Sequence, residues 1–117
     1  MGVNNLPYER YRAAGNLIFV SGQLPIDPET GEICSENISE QTNQIMHNIS
    51  EVLDELNLTM DDVVKTTCFL TDIKDFELFN QAYSKHFGKR FPARSAYQVA
   101  ALLKGALVEI EWVLSTK

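Results

Sequence analysis

The feature that most constrains this chain is its last apolar run, Leu107-Val-Glu-Ile-Glu-Trp-Val-Leu114. Successive side chains of an extended strand point to opposite faces of the sheet. Val108, Ile110, Trp112 and Leu114 therefore share one face, an unbroken apolar floor, while Leu107, Glu109, Glu111 and Val113 occupy the other. The segment Leu17-Ile-Phe-Val-Ser-Gly-Gln-Leu24 divides similarly, with Ile18, Val20 and Leu24 on one side and Leu17, Phe19, Ser21 and Gln23 on the other. A sheet made of such strands must lay its apolar floor against a second layer.

Two helical segments supply that layer. Ile38, Ile45, Ile49, Val52, Leu53 and Leu56 recur at helical spacing; Asn37 with Glu40 predicts a capping-box start and Asn57 a stop. A second helix from about Asp75 to Phe87 sets Phe76, Phe79, Tyr83 and Phe87 on one face, with Gly88 as its stop. Val63 to Leu70 reads as a strand, and Asp27 to Gly31 as a loop. Gly15-Asn16 reads as a hairpin turn that pairs Tyr11 to Ala14 with the strand that follows. Two closing strands complete a ββ-α-β-α-ββ order. The fold class is α+β, a single sheet with two helices on one face, and residues 1–117 read as one domain. Two helices cannot cover both faces. The second face mixes Leu, Phe and Val with charges and is too apolar for solvent, so another subunit is expected to cover it.

Composition narrows the function classes. A net charge of −6 and a pI near 4.8 leave no electrostatic footprint for nucleic acid or an anionic membrane. No apolar run has transmembrane length, and no basic-then-apolar leader opens the chain. Met1-Gly2 does not fit a myristoylation start, since position 6 is Leu. Cys34 and Cys68 stand in no Cys-x-x-Cys pattern and suit a reducing compartment, so a cytoplasmic protein is expected. His47 and His86 are far apart, with no zinc spacing; there is no Gly-x-Ser-x-Gly elbow and no Gly-rich phosphate loop. No metal or cofactor is assigned.

The candidate chemistry is sparse. Arg94 opens a strand with Ala96 and Gln98 on its own face. It is either a member of a structural ion pair or subunit edge, or a clamp whose guanidinium binds a substrate carboxylate through two parallel hydrogen bonds. Glu109 taken alone is ambiguous, since edge strands often carry charges against aggregation, and Glu111 on the same face suits a surface or interface charge. Tyr8 is a core-edge or interface aromatic, or a hydroxyl that orients a ligand. Asn80 interrupts an aromatic helix, as a tie to a loop or as a polar group facing a cleft. Ser21-Gly22-Gln23 breaks an apolar strand, which marks a bulge or the close approach of a ligand.

Together these segments resemble the Rid (YjgF) family. The resemblance runs through Pro7-Tyr8, Gly15-Asn16, Ser21-Gly22-Gln23-Leu24-Pro25, Thr30-Gly31-Glu32, Gln41, Val63 to Thr67, Asp75-Phe76, Asn80, Tyr83, Phe91-Pro92-Ala93-Arg94-Ser95 and Ala106 to Glu111. It implies a chorismate-mutase-like homotrimer with three clefts between neighbouring subunits. It also implies hydrolysis of 2-iminoacids and their enamine tautomers, released by pyridoxal-phosphate dehydratases of serine and threonine, to 2-oxoacids and ammonia. Arg94 matches the residue that holds the substrate carboxylate and Glu109 the one that positions the attacking water. Tyr8, Ser21 and Asn80 match residues lining the cleft. The family's common Arg-Ser-Cys reads Arg94-Ser95-Ala96 here, so the cleft thiol is replaced by Ala96. The usual Gly-Pro-Tyr reads Leu6-Pro7-Tyr8.

On this reading Arg94 and Glu109 share the sheet face turned towards a neighbouring subunit. An iminium carbon is already electrophilic, so the protein need only fix the carboxylate, protonate the imine and orient a water, without a cofactor. The alternative is a non-catalytic module that binds 2-oxoacids or related carboxylates and reports to a partner. RNA cleavage is disfavoured by the acidic charge.

Overall fold

The computed structural model describes residues 6–117, so the reading of Met1-Gly2 lies outside the described residues. Strands β1 (Tyr11–Ala14) and β2 (Leu17–Gln23) form the expected hairpin, with Tyr11 opposite Val20 and Ala14 opposite Leu17. Gly15 takes a φ of 61° at the first central position of the turn, a conformation that favours glycine. The loop from Asp27 to Gly31 closes a small ribbon of β3 (Ile26–Asp27) and β4 (Glu32–Ile33), which the expected strand order lacked. Helix α1 (Ile38–Glu55), strand β5 (Val63–Leu70), helix α2 (Phe76–Ser84) and strands β6 (Ala93–Gln98) and β7 (Val108–Ser115) follow. The main sheet runs β1-β2-β7-β5-β6, antiparallel except for the parallel pair β5–β6.

The apolar floor is where period two places it. Val108, Ile110, Trp112 and Leu114 are buried with Ile45, Ile49, Leu53 and Phe79 of the helices above them. Two polar residues share the buried face of α1. Thr42 donates to the Ile38 carbonyl at 2.8 Å. Gln41 donates to the Ser35 carbonyl and accepts from the Leu107 N–H, both at 2.8 Å, which pins the start of β7 to α1.

The ends of the helices separate two kinds of signal. At the start of α1, Asn37 Oδ1 accepts from Glu40 N at 2.9 Å, while the Asn37 N–H donates to Ser35 Oγ, so Ser35 takes the part expected of the Glu40 side chain. At its end Asn57 adopts a φ of 60°, with Asn57 N donating to Asp54 O and Leu58 N to Leu53 O. That is a Schellman stop. Helix α2 ends at Ser84, short of the expected Phe87, and Gly88 is not in the left-handed region. Beyond Ser84 the backbone bonds tighten to three-residue spacing, His86 N to Tyr83 O and Phe87 N to Ser84 O. Phe87 and Phe91 extend the aromatic row beyond Tyr83 at centroid distances of 4.8 and 5.7 Å, while His86 Nε2 meets Asn43 Oδ1 at 2.8 Å.

One expectation of strand parity is also corrected. Val20 lies opposite Trp112 but Gln23 lies opposite Ile110, so β2 carries a bulge at Ser21-Gly22. The extra residue inverts the alternation. Gln23 rather than Leu24 aligns with the floor, and Leu24 is only half-buried. Among the described residues no helix is long and apolar enough to cross a membrane.

Candidate functional site

Arg94 is positioned by the parallel pairing of β6 with β5. It aligns with Thr66, and Ala96 with Cys68; these partners lie opposite Trp112 and Ile110 of the floor. Arg94 and Ala96 therefore stand on the helix side of the sheet. The Arg94 guanidinium lies 4.9 Å from the Tyr83 ring centre, 5.3 Å from that of Phe76 and 5.7 Å from that of Phe79. Its Nη1 donates to Asn80 Oδ1 at 2.8 Å, and the Tyr83 hydroxyl is tied to Thr66 Oγ1 at 2.8 Å. The aromatic stripe of α2, legible in the sequence only as a helix face, is thus also the seat of the guanidinium. Nothing in the local pattern of α2 announces that, because the arginine arrives from a strand ten residues beyond the helix.

The structural ion pair does not form. Among the described residues the ion pairs are Arg10 with Glu55 and His47 with Glu51, and no carboxylate reaches Arg94. A depression of about 380 Å³ opens beside it, lined by Asn80, Tyr83, Ser84, Phe91 and Pro92. Asn80 is bonded not to a loop but to the guanidinium of β6, and it also lines this depression. Cys68, the nearest thiol to Ala96 in register, does not replace the family cysteine: it is fully buried, and burial pushes its pKa up to about 11.

Glu109 lies opposite Phe69, on the other face of the sheet. It is half-buried, and no hydrogen bond or ion pair holds its carboxylate among the described residues. Burial, and secondly the charge of Glu111, raise its pKa above the ordinary value. Ser21 sits in the bulge on this side. Its N–H donates to the Arg10 carbonyl at 2.9 Å and its hydroxyl to the Glu9 carbonyl at 2.7 Å. Both bonds bind the segment that carries Tyr8 to the sheet, so Ser21 is a scaffold for that segment. Tyr8 is exposed and, with Ser21, Phe19, Lys65 and Glu111, lines a depression of about 630 Å³.

The expectation that Arg94 and Glu109 share a face is therefore wrong for a single chain. Arg94 is in register with Thr66, Glu109 with Phe69, and an odd step along β5 separates opposite faces. The chain brings Arg94 and Asn80 together on the helix side, where Ala96 also stands. It sets Tyr8, Ser21 and Glu109 on the open side, Tyr8 and Ser21 around a depression that Glu109 does not line. Each group is half of the site that the sequence suggested. Among the described residues no cluster of His, Cys, Asp and Glu could hold a metal ion.

Comparison with known proteins gives a consistent result. A family profile described as Endoribonuclease L-PSP matches residues 3–115. A Lactococcus lactis protein named as a candidate regulator, AldR, is 49% identical over 95% of this chain and 88% of its own length. The human 2-iminobutanoate/2-iminopropanoate deaminase is 42% identical over 92% of this chain and 78% of its own. The crystal structure of Escherichia coli TdcF with bound serine superimposes with a TM-score of 0.89 at 32% identity, covering 97% of this chain and 91% of that one.

Proposed function

The chain belongs to the endoribonuclease L-PSP family, the Rid family, and from that premise we propose that it hydrolyses 2-iminoacids and their enamine tautomers to 2-oxoacids and ammonia. The observation that carries this reading is the Arg94 guanidinium, half-buried, oriented by Asn80 and three rings, and without a carboxylate of its own. A cation held in this way is prepared for a small carboxylate. The Escherichia coli relative with bound serine, itself a small carboxylate, fits that preference.

Because Arg94 and Glu109 face opposite ways, the reacting cleft is built by two chains of a homotrimer. Arg94 of one subunit grips the substrate carboxylate, and Glu109 of its neighbour faces the imine carbon. Glu109 takes a proton from water as the oxygen attacks that carbon. Glu109 returns that proton to the carbinolamine nitrogen, then accepts the hydroxyl proton as the C–N bond breaks, so that ammonia leaves and the 2-oxoacid forms. Positioning and proton transfers through a single carboxylate suffice, without a thiol. Acidic charge and the mixed signs of Arg12, Lys65, Glu9 and Glu111 around the larger depression weigh against RNA as substrate. The name of the Lactococcus relative and the Ala96 substitution favour a second reading, a 2-oxoacid-binding regulatory module without turnover.

A threonine dehydratase that generates 2-iminobutanoate in situ separates the two readings: accelerated disappearance of the imine supports the deaminase, and tight 2-oxobutyrate binding without acceleration supports the module. Arg94→Lys tests the clamp. It keeps the charge but loses the planar fork, so affinity for 2-oxobutyrate should fall by roughly 1.5–3 kcal/mol, with turnover falling alongside. Unchanged calorimetric affinity with a lowered melting temperature would assign Arg94 a structural part instead.

A further inference from the structure

Glycine serves two different purposes at four of the described positions. Gly15, Gly31 and Gly105 have φ values of 61°, 75° and 71°, and an added Cβ at any of them would meet nothing within 4 Å. Those positions use glycine for its backbone freedom. Gly22 has no such φ. A Cβ built there would lie 2.9 Å from Glu109 Cδ and would collide with Glu109 Oε2. The space that a side chain of Gly22 would fill is already taken by the Glu109 carboxylate.

The bulge explains how the two meet. Ser21 and Gly22 of β2 together stand against Glu111 of β7, between the pairs Val20–Trp112 and Gln23–Ile110. The displaced backbone at Gly22 comes against the carboxylate of Glu109, two residues from Glu111 on the same face of β7. No hydrogen bond or ion pair fixes that carboxylate among the described residues, and it lies directly against Gly22.

We propose that Gly22 is a positioning residue, whose missing side chain forms the slot that aims Glu109 at the reacting water. This rests on the reading of Glu109 as the base. A methyl group at Gly22 would meet the free end of a flexible side chain rather than backbone. The fold accommodates it by letting the carboxylate swing away, so the effect falls on turnover rather than on stability.

The test compares Gly22→Ala, Glu109→Gln, Glu109→Asp and the double variant Gly22→Ala/Glu109→Asp. The dehydratase-coupled assay is run beside melting curves and calorimetric titration with 2-oxobutyrate. Gly22→Ala should lower kcat by about 10²-fold, the loss expected when a catalytic group is displaced by about 1 Å. Its melting temperature and 2-oxobutyrate affinity should stay at wild-type values. Glu109→Asp, one methylene shorter, should be impaired alone but should restore part of the lost turnover when added to Gly22→Ala. If Gly22→Ala turns over at the wild-type rate while Glu109→Gln is impaired, the slot is refuted and the base reading stands. If Glu109→Gln is itself unimpaired, the base reading fails and the slot goes with it. Loss of 2-oxobutyrate affinity or of thermal stability in Gly22→Ala would place Gly22 against the ligand or in the fold, and would equally overturn the slot. So would a double variant no faster than Gly22→Ala.

Discussion

Glu109 is a carboxylate that burial and the neighbouring charge of Glu111 hold above its ordinary pKa of 4.5. A base must be ionised to accept a proton. Turnover should therefore fall on acidification as the pH drops through that raised value, earlier than for a solvated glutamate. Glu111→Gln removes the second cause of the shift, so the acid limb of the kcat/KM profile should move to lower pH. A limb that stays in place would show that another group controls it. Glu109→Gln should lower turnover by about 10²–10⁴ while leaving 2-oxobutyrate binding intact. At this scale the sequence nominates residues by type and says little of their environment. A guanidinium and a carboxylate within strand-like segments marked both residues. That Arg94 would rest on three rings of α2 was beyond any local pattern, because the contact joins separate elements.

At the scale of the element, local chemistry was legible wherever a backbone group demanded a particular side chain. Asn37 and Asn57 bracket α1 as expected, since orphan helix donors and a left-handed stop each favour asparagine. Asn57→Val should destabilise the protein by about 1–2 kcal/mol, the cost of a β-branched residue in that conformation, whereas Asn57→Gly should not. Thermal or urea unfolding checks both; equal stability of the two variants would show that the left-handed turn is not what ends α1. The end of helix α2 is not legible, for the opposite reason. Its aromatic period continues through Phe87, but the last rings stack after the helix has ended, and side-chain spacing alone does not separate those cases. The small residues of Ser21-Gly22 point to a bulge, yet the reversal of parity at Gln23 depends on how β2 pairs with β7.

For the whole molecule, the open face of the sheet leaves Leu17 and Phe19 exposed beside Val113, Lys65 and Glu111. We infer that this face meets a second chain, and that the trimer completes the cleft. Complementation tests the sharing directly. Chains carrying Arg94→Ala and chains carrying Glu109→Gln should each be nearly inactive, yet co-expressed they should regain part of the turnover. Mixed trimers would contain clefts with Arg94 from one chain and Glu109 from the other. No recovery in trimers shown by mass to be mixed would place both groups of a working site in one subunit. A monomer in sedimentation at micromolar concentration would remove the shared cleft altogether.

The sequence by itself determined which strand face forms the core and that two helices leave half of the sheet uncovered, and it named the candidate residues for chemistry. These follow from residue type and from periods of two and 3.6, both local properties of the chain. Tertiary structure alone decided that Arg94 and Glu109 look in opposite directions. That depends on the parallel register of β6 on β5 and the antiparallel register of β7 on the same strand. Register is set by packing between segments distant in the chain, and a shift of one residue reverses a face.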